Sequence, residues 1–556
     1  MQLARIEGGA GTGKTSALMS AIGKLLSRGY SPYQIGFCSF TRAAREEAAA
    51  RVEAEFGHPA EHLVRDGWFR TLHSVCFRQL QTRDKLLTDC KDDAKWLSEE
   101  VGEEFSLTKL GSPDNGPDGG AETRGDRTVG DHALMLWAIA RSRLWPLRAV
   151  YDSVARSSPG LPDYEIIEAV VRRYERAKFR DDRIDFLDLA GRFAGWRWTI
   201  TSYPERCDPS GVVPEDVRVW FFDEHQDASP LLHSIAERLI DEGDLDYVYF
   251  AGDRYQSIYG FAGSDHRCFT GVEVDRTRIL QTSWRCPADI LRAGERCLER
   301  ISDYQDRGIR ANAAGGRVTR ECGFSSILER MRDDDGTWLL LARTNSHAKR
   351  FQQRLTSEGI PWDYTHAEGG YCTPKDRELG EIIVRLESGQ AVDPKQWMDL
   401  LRALPAFGTV EGRKVPLLQR GVKTAVVSKK YPVPNQPVYL HEAEQHGGTS
   451  DLATFHSFLR LFCGAKTSLY IKGRKTWGAE IATHPRVGIG TIHSVKGAEA
   501  DNVVILTSTS KRVVMSAAAS TEARDAEHRL AYVAVTRAKR RVMLLEPEAD
   551  KYRMTI

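Results

Sequence analysis

Eight consecutive residues near the start, Gly8-Gly9-Ala10-Gly11-Thr12-Gly13-Lys14-Thr15, fit the pattern GxxxxGK[ST] in full. In that pattern the glycines let backbone N–H groups close around phosphates and the start of the following helix favours negative charge. The lysine reaches the β- and γ-phosphates, and the hydroxyl ligates Mg²⁺. Gly8, Gly11, Gly13, Lys14, Thr15 and the adjoining Ser16 are therefore the candidate phosphate-binding residues. Such a loop needs a carboxylate at the end of a neighbouring strand. Phe221-Phe222-Asp223-Glu224 supplies one, with Asp223 to hold the metal and Glu224 beside it to activate water. An ordinary glycine turn and a solvated acidic pair are the bland alternatives. They leave the Lys-Thr after the last glycine, and the strand and helix on either side, unexplained. By their chemistry alone these residues imply a Mg²⁺-dependent nucleoside triphosphatase.

The elements that must position them are legible as pattern. Residues 3–7 read as a strand; Leu18, Ile22, Leu25 and Leu26 recur at helical spacing, with Gly29 as the stop. A strand over 34–40 and a helix over 43–56 follow, and strand-helix alternation implies a parallel sheet covered on both faces. Aromatic and β-branched runs at 217–222 and 247–250 each end in polar acids, as buried strands delivering side chains at their carboxyl ends do. Further strand-like runs at 338–342, 487–489, 502–506 and 542–545 predict a second α/β sheet. Helical patterns, among them 134–144 and 166–179, fill an insertion. Within it, residues 111–130 carry almost no large apolar side chain and read as a mobile loop. A second insertion, containing YPVPNQP (431–437) and YIKGRKTW (470–477), has weak periodicity and no legible fold.

Composition limits the partners. Hydrophobic residues are 41% and charged residues 28% of the 556, the proportions of a globular chain long enough for several domains. The formal charge is +1, so a polyanion must be met by a local patch and not by a basic coat. No run is long and apolar enough to span a membrane, and the ten cysteines are scattered without metal-ligand spacing. The chain reads as cytoplasmic, with reduced thiols and no structural metal.

The motifs continue in order: GGAGTGKT (8–15), SFTRAAREEAAARV (39–52), TLHSVCFRQL (71–80), DFLDL (185–189), FFDEHQD (221–227), AGDRYQSIYGFAG (251–263), LQTSWRCP (280–287), ARTNSHAKRF (342–351), GIGTIHSVKGAEADNVVIL (488–506) and RLAYVAVTRAKRRV (529–542). Together they resemble the UvrD/Rep family of superfamily 1 DNA helicases across nearly the whole chain. The resemblance implies an α/β fold of two RecA-like lobes in tandem, each interrupted by a mainly helical insertion. The expected division is a first lobe over 1–82 and 214–292 with an insertion over 83–213, and a second lobe over 293–389 and 485–556 with a reduced insertion over 390–484.

It further implies ATP and Mg²⁺ as cofactors, and single-stranded DNA and its junctions with duplex as partners. Movement is expected to be 3′ to 5′, by a monomer or weak oligomer. Gln256 matches the residue that senses the γ-phosphate, Arg285 and Arg537 the two that clamp it, and Trp284 the ring that stacks on adenine. Phe40, Tyr259 and Phe261 match positions that stack on bases. Thr41, Thr71, His73, Thr491 and His493 match the DNA path, while Lys496, Glu499 and Asp501 fall in the motif that couples DNA to nucleotide.

Some positions depart from the family. Only seven residues precede Gly8, where relatives carry an adenine-reading glutamine, so looser base selectivity is expected unless Gln2 or an insertion side chain reads the base. Phe261-Ala262-Gly263 lacks the family's arginine at its centre. The second insertion is short, and the chain ends soon after Arg537, so no appended nuclease is expected. A competing reading, an ATP-gated single-stranded DNA-binding or protein-displacing translocase with little unwinding, would be favoured by loss of the catalytic acid or a clamp, and all of these are present. A small-molecule kinase leaves the second lobe and both arginine motifs unexplained.

Overall fold

The computed structural model describes residues 1–82, 85–88, 91–105, 128–156, 160–364, 370–404, 407–410, 413–416, 418–420, 422–430, 432–446, 448, 465–478, 485–546 and 551–556. Most of the loop expected over 111–130 lies outside them. The chain divides into two units, residues 1–335 with 341–347 and 491–556, and residues 336–340 with 348–490.

In the first unit, Gln2–Gly8 (β1) leads through the glycine loop into Lys14–Ser27 (α1). Ile35–Cys38 (β2), Arg42–Phe56 (α2), Trp68–Arg70 (β3) and Leu72–Leu80 (α3) follow. With Val219–Phe222 (β4), Tyr247–Gly252 (β5) and Arg276–Leu280 (β6) they make a six-stranded parallel sheet of order β3-β2-β4-β5-β1-β6. Alternation along β4 sends its side chains to opposite faces. Val219 and Phe221 join Leu18, Ile22 and Leu25 of α1 in one core, while Trp220 and Phe222 join Phe250 and the helix Pro230–Asp241 in another. Gly36 makes room for this, since a Cβ there would lie 2.2 Å from the Trp220 ring.

The helical insertion contains Val129–Arg143 (α4) and Tyr164–Arg180 (α5), around a core including Leu136, Trp137, Ile167 and Val171, and Phe186–Ala194 (α6), whose Leu189 and Phe193 join the core of Trp220 and Phe222 instead. Asp185 joins these helices. Its Oδ1 caps α6 by accepting the Leu187 and Asp188 N–H groups, and its carboxylate also accepts Arg141, Tyr174 and Lys178. The pattern over 134–144 marked only the apolar part of α4, which starts earlier because Thr128 and Asp131 form a capping box.

A second parallel sheet is built from Arg317–Glu321 (β7), Trp338–Ala342 (β8), Asp363–Tyr364 (β9), Val487–Thr491 (β10), Ala500–Leu506 (β11) and Ala538–Leu545 (β12). In the first unit β12 pairs in parallel with both β7 and β11, and in the second β9 pairs in parallel with β10. The second unit also holds Pro374–Glu387 (α7), Pro394–Ala403 (α8) and Ala465–Trp477 (α9), with a core of its own that includes Ile383, Leu386, Trp397, Leu401, Val426 and Val438. The basic-aromatic segment 470–477 lies on α9, where Arg474 donates to Glu381 at 2.5 Å and Lys475 pairs with Glu387 at 2.7 Å, both on α7. No described helix is long and apolar enough to cross a membrane.

Candidate functional site

The glycine loop turns on backbone that only glycine adopts freely: φ is 68° at Gly11 and 82° at Gly13, which caps α1. A Cβ at Gly11 would lie 2.3 Å from that of Arg285, so the loop and the segment carrying Arg285 are in close contact. Trp284 is fixed by its N–H, which donates to the Gly11 carbonyl at 2.8 Å, while its ring is 69% exposed. Lys14 is buried with Nζ donating to the Gly8 carbonyl at 3.2 Å, and Thr15 Oγ1 donates to Asp223 Oδ2 at 3.3 Å. Ser16 is exposed on the first turn.

Asp223 and Glu224 stand at the end of β4. Glu224 has φ 53°, a left-handed backbone that costs a non-glycine residue about 1–2 kcal/mol. Its N–H donates to Asp223 Oδ1 at 2.9 Å, and its Oε2 accepts the Gln226 amide at 2.5 Å. Burial and the neighbouring Glu224 charge push the Asp223 carboxyl up. Burial pushes Glu224 up too, but Lys14, Lys496, the Gln226 amide and Arg537 outweigh it and hold Glu224 ionised.

Gln256 and Arg537 meet here: Arg537 NH2 donates to Gln256 Oε1 at 3.4 Å, and Gln256 Nε2 donates to Asp253 Oδ2 at 2.8 Å. Arg537 is almost fully buried, and burial together with the like charge of Arg285 pushes it down to about 10. Arg285 donates to Glu499 Oε2 at 2.6 Å, with Lys539 on the other oxygen at 2.5 Å. Close-set cations, one of them short of an anion, beside a glycine loop and a raised carboxyl fit a polyphosphate with a divalent metal. A second acidic group, Glu175, Asp185 and Asp188, faces Arg141 and Lys178, which meet its charge.

The aromatic candidates converge as well. Phe40 stacks on Tyr259 with centroids 5.8 Å apart, Phe261 meets His493 edge-on at 5.1 Å, and the Tyr259 hydroxyl donates to the His493 carbonyl at 3.1 Å. Thr41 and Thr71 cap α2 and α3 with their hydroxyls, and Thr491 Oγ1 bonds Ser494. His73 is buried against Phe186 and lines a small cavity together with Phe40, Thr71 and Glu224. Gln2 lies at the opposite end of β1 from Gly8, about 20 Å away at strand rise, and does not reach the site.

Three further residues stand behind the site without a signal of their own in the sequence: Asp253, which caps the turn carrying Gln256 and accepts its amide, Arg307, which pairs with Asp253, and Tyr532, which meets both Asp253 and the loop at Ala10. A fourth unmarked residue is Arg143, whose NH2 donates to the Gly260 carbonyl at 2.7 Å and sets a guanidinium beside the loop where Ala262 provides none. Arg143 sits at the last residue of α4 with no motif around it, so no local signal marks it.

Two parallel RecA-like sheets flanked by helical segments, with a glycine loop and paired acids at strand ends, define a P-loop protein of tandem RecA-like cores. Residues 2–276 match the UvrD/REP helicase N-terminal domain and residues 471–546 the UvrD-like helicase C-terminal domain. The chain belongs to this UvrD-like family of superfamily 1 helicases. It is 24% identical over 402 residues to the ATP-dependent DNA helicase PcrA of Staphylococcus epidermidis, covering 67% of this chain and 50% of that one. Identity to the ATP-dependent DNA helicase UvrD1 of Mycobacterium tuberculosis is 23% over 414 residues, 68% of this chain and 50% of the relative. For DNA helicase II of Escherichia coli it is 23% over 392 residues, 64% and 48%. The chain thus spans about half the length of the curated relatives it matches.

Proposed function

We propose that the protein is a DNA-dependent ATPase that moves 3′ to 5′ on single-stranded DNA and separates duplex at its junctions. The observation that carries this reading is Lys496. Its ammonium pairs with Asp227, donates to the Gln256 carbonyl at 2.7 Å and lies 5.3 Å from the centre of the Tyr259 ring. One side chain therefore touches the acid-bearing turn after β4, the Gln256 turn and the aromatic patch, so a base stacking on that patch bears on groups beside the phosphates.

In this reading Lys14 and the loop amides hold the phosphates, and Thr15 and Asp223 would hold Mg²⁺, which would supply neutralisation of phosphate charge. Glu224, kept ionised, takes the proton of the attacking water. Gln256 orients that water, Arg285 and Arg537 meet the γ-phosphate, and Glu499 sets the approach of Arg285. Trp284 stacks on the nucleotide base. Phe40, Tyr259 and Phe261 stack on DNA bases, and Thr41, Thr71, Thr491 and His493 line the strand's path. Strand displacement on 3′-tailed, 5′-tailed and blunt duplexes at matched salt tests the reading. Displacement confined to 3′ tails with ATP is expected. Equal displacement from 5′ tails overturns the polarity, and hydrolysis without displacement reduces the protein to a translocase.

A further inference from the structure

Behind the glycine loop lies a buried polar cluster. Asp253, at the end of β5, accepts Arg307 NH1 on Oδ1 at 2.5 Å, and on Oδ2 it accepts Gln256 Nε2 at 2.8 Å and the Tyr532 hydroxyl at 3.4 Å. The Tyr532 oxygen in turn accepts the Ala10 N–H at 2.9 Å. A continuous path runs from a loop amide through Tyr532 and Asp253 to Gln256, and from Gln256 to Arg537.

The chemistry of that path fixes a direction. A side-chain amide can present either end, but an ionised carboxylate only accepts, so Asp253 holds the NH₂ of Gln256 and turns Oε1 toward Arg537. Orienting a water requires that oxygen. Asp253 is buried, and burying a carboxylate is costly unless a cation and hydrogen bonds accompany it. Arg307 is that cation. It is itself 94% buried by its side-chain exposure of 6%, and its guanidinium lies 4.6 Å from the centre of the Tyr255 ring. Its second nitrogen, NH2, is buried with no hydrogen-bond partner and lies 3.5 Å from where a side chain at Gly9 would begin. Tyr532 gives its one hydroxyl hydrogen to Asp253, which leaves its lone pairs for the Ala10 amide and so ties the loop to the same carboxylate.

We propose that Arg307 and Tyr532 are positioning residues that act through Asp253: they hold the Gln256 amide with its carbonyl oxygen toward Arg537 and couple that orientation to the glycine loop at Ala10. The inference rests on Gln256 serving hydrolysis as proposed above.

The test is a double-mutant cycle on DNA-stimulated ATP hydrolysis. Tyr532→Phe removes one oxygen, and Arg307→Lys keeps the charge but loses the fork. Each is expected to lower kcat by about tenfold while KM moves less than about threefold, the signature of an interaction used in the reaction and not in binding. In a Gln256→Ala background the same substitutions should cost less than about twofold, because their route is already cut. Losses that multiply in that background, an unchanged kcat in both single variants, or a rise confined to KM each overturn the relay. Melting temperatures accompany the assay, and if Tyr532→Phe is unfolded the Arg307→Lys arm decides alone. A wild-type protein with no DNA-stimulated hydrolysis overturns the motor reading itself, and the relay falls with it.

Discussion

At Glu224 the left-handed backbone and the bond from Gln226 deliver one carboxylate to one place. Glu224→Gln keeps that shape and removes the base. Turnover should fall by about two orders of magnitude or more with nucleotide binding retained, the scale of general-base loss, and single-turnover hydrolysis near the wild-type rate would remove the assignment. Lys14→Ala should weaken binding as well. His73 gives a pH dependence. Burial pushes its imidazole from the usual 6.5 down to about 4, so between these values the unfolded chain binds a proton that the folded one does not. Stability from this group is complete above about pH 6.5 and declines as pH falls toward 4, by about 3 kcal/mol in all. His73→Gln should flatten that limb of the melting-temperature profile, and an unchanged slope would mean that the imidazole titrates normally. The glycine loop and Asp223-Glu224 were legible because each is contiguous. Tyr532 and Arg307 were not, because Tyr532 meets Asp253 across 279 residues and only the fold brings them together.

Among the elements, patterning located strand cores and missed ends. The run 34–40 holds only Ile35–Cys38, since Ser31 caps a short helical turn over Pro32–Gln34 and Phe40 lies beyond the strand. The motif DFLDL gave no chemistry in sequence, and the structure gives it a mechanical one. Asp185 caps α6 and binds Arg141 of α4 and Tyr174 and Lys178 of α5. Asp185→Ala removes the α6 cap and one of the carboxylates shared by Arg141 and Lys178, which keep Asp188 and Glu175, and should destabilise the insertion by about 1–3 kcal/mol in denaturant unfolding. A loss below about 1 kcal/mol, the range of a surface pair, would contradict the network. In the turn Gly260–Ala262, Phe261 is 40% exposed over His493. Phe261→Ala should weaken single-strand binding by about 1–3 kcal/mol with little change in salt slope, because stacking releases no counterions. Wild-type affinity would make Phe261 a packing residue. Arg143→Met at the same turn should instead flatten the slope.

Across the whole molecule, a formal charge of +1 leaves nucleic-acid affinity to local groups, and the residues proposed for nucleotide and DNA all fall in the first unit, residues 1–335, 341–347 and 491–556. The two-sheet plan was legible because strand and helix alternate along the chain. The core of the second unit was not, since it gathers short pieces: Leu379–Leu386 from one helix, Trp397–Leu401 from another, and Val426, Val438 and Ile471 from segments whose own periodicity is faint. That core is independent enough to be perturbed alone. Trp397 is fully buried and its Nε1 donates to the His446 carbonyl at 3.0 Å, so Trp397→Ala removes both packing and a hydrogen bond. The loss should be about 3–5 kcal/mol, confined to the second unit and seen as faster amide exchange in α7 and α9 while α1 keeps its protection. DNA-stimulated hydrolysis should stay within about threefold of wild type, because substitutions remote from a site rarely couple to it. If hydrolysis instead falls with the exchange protection, the chemistry depends on the second unit, and the first unit alone does not hold a complete site.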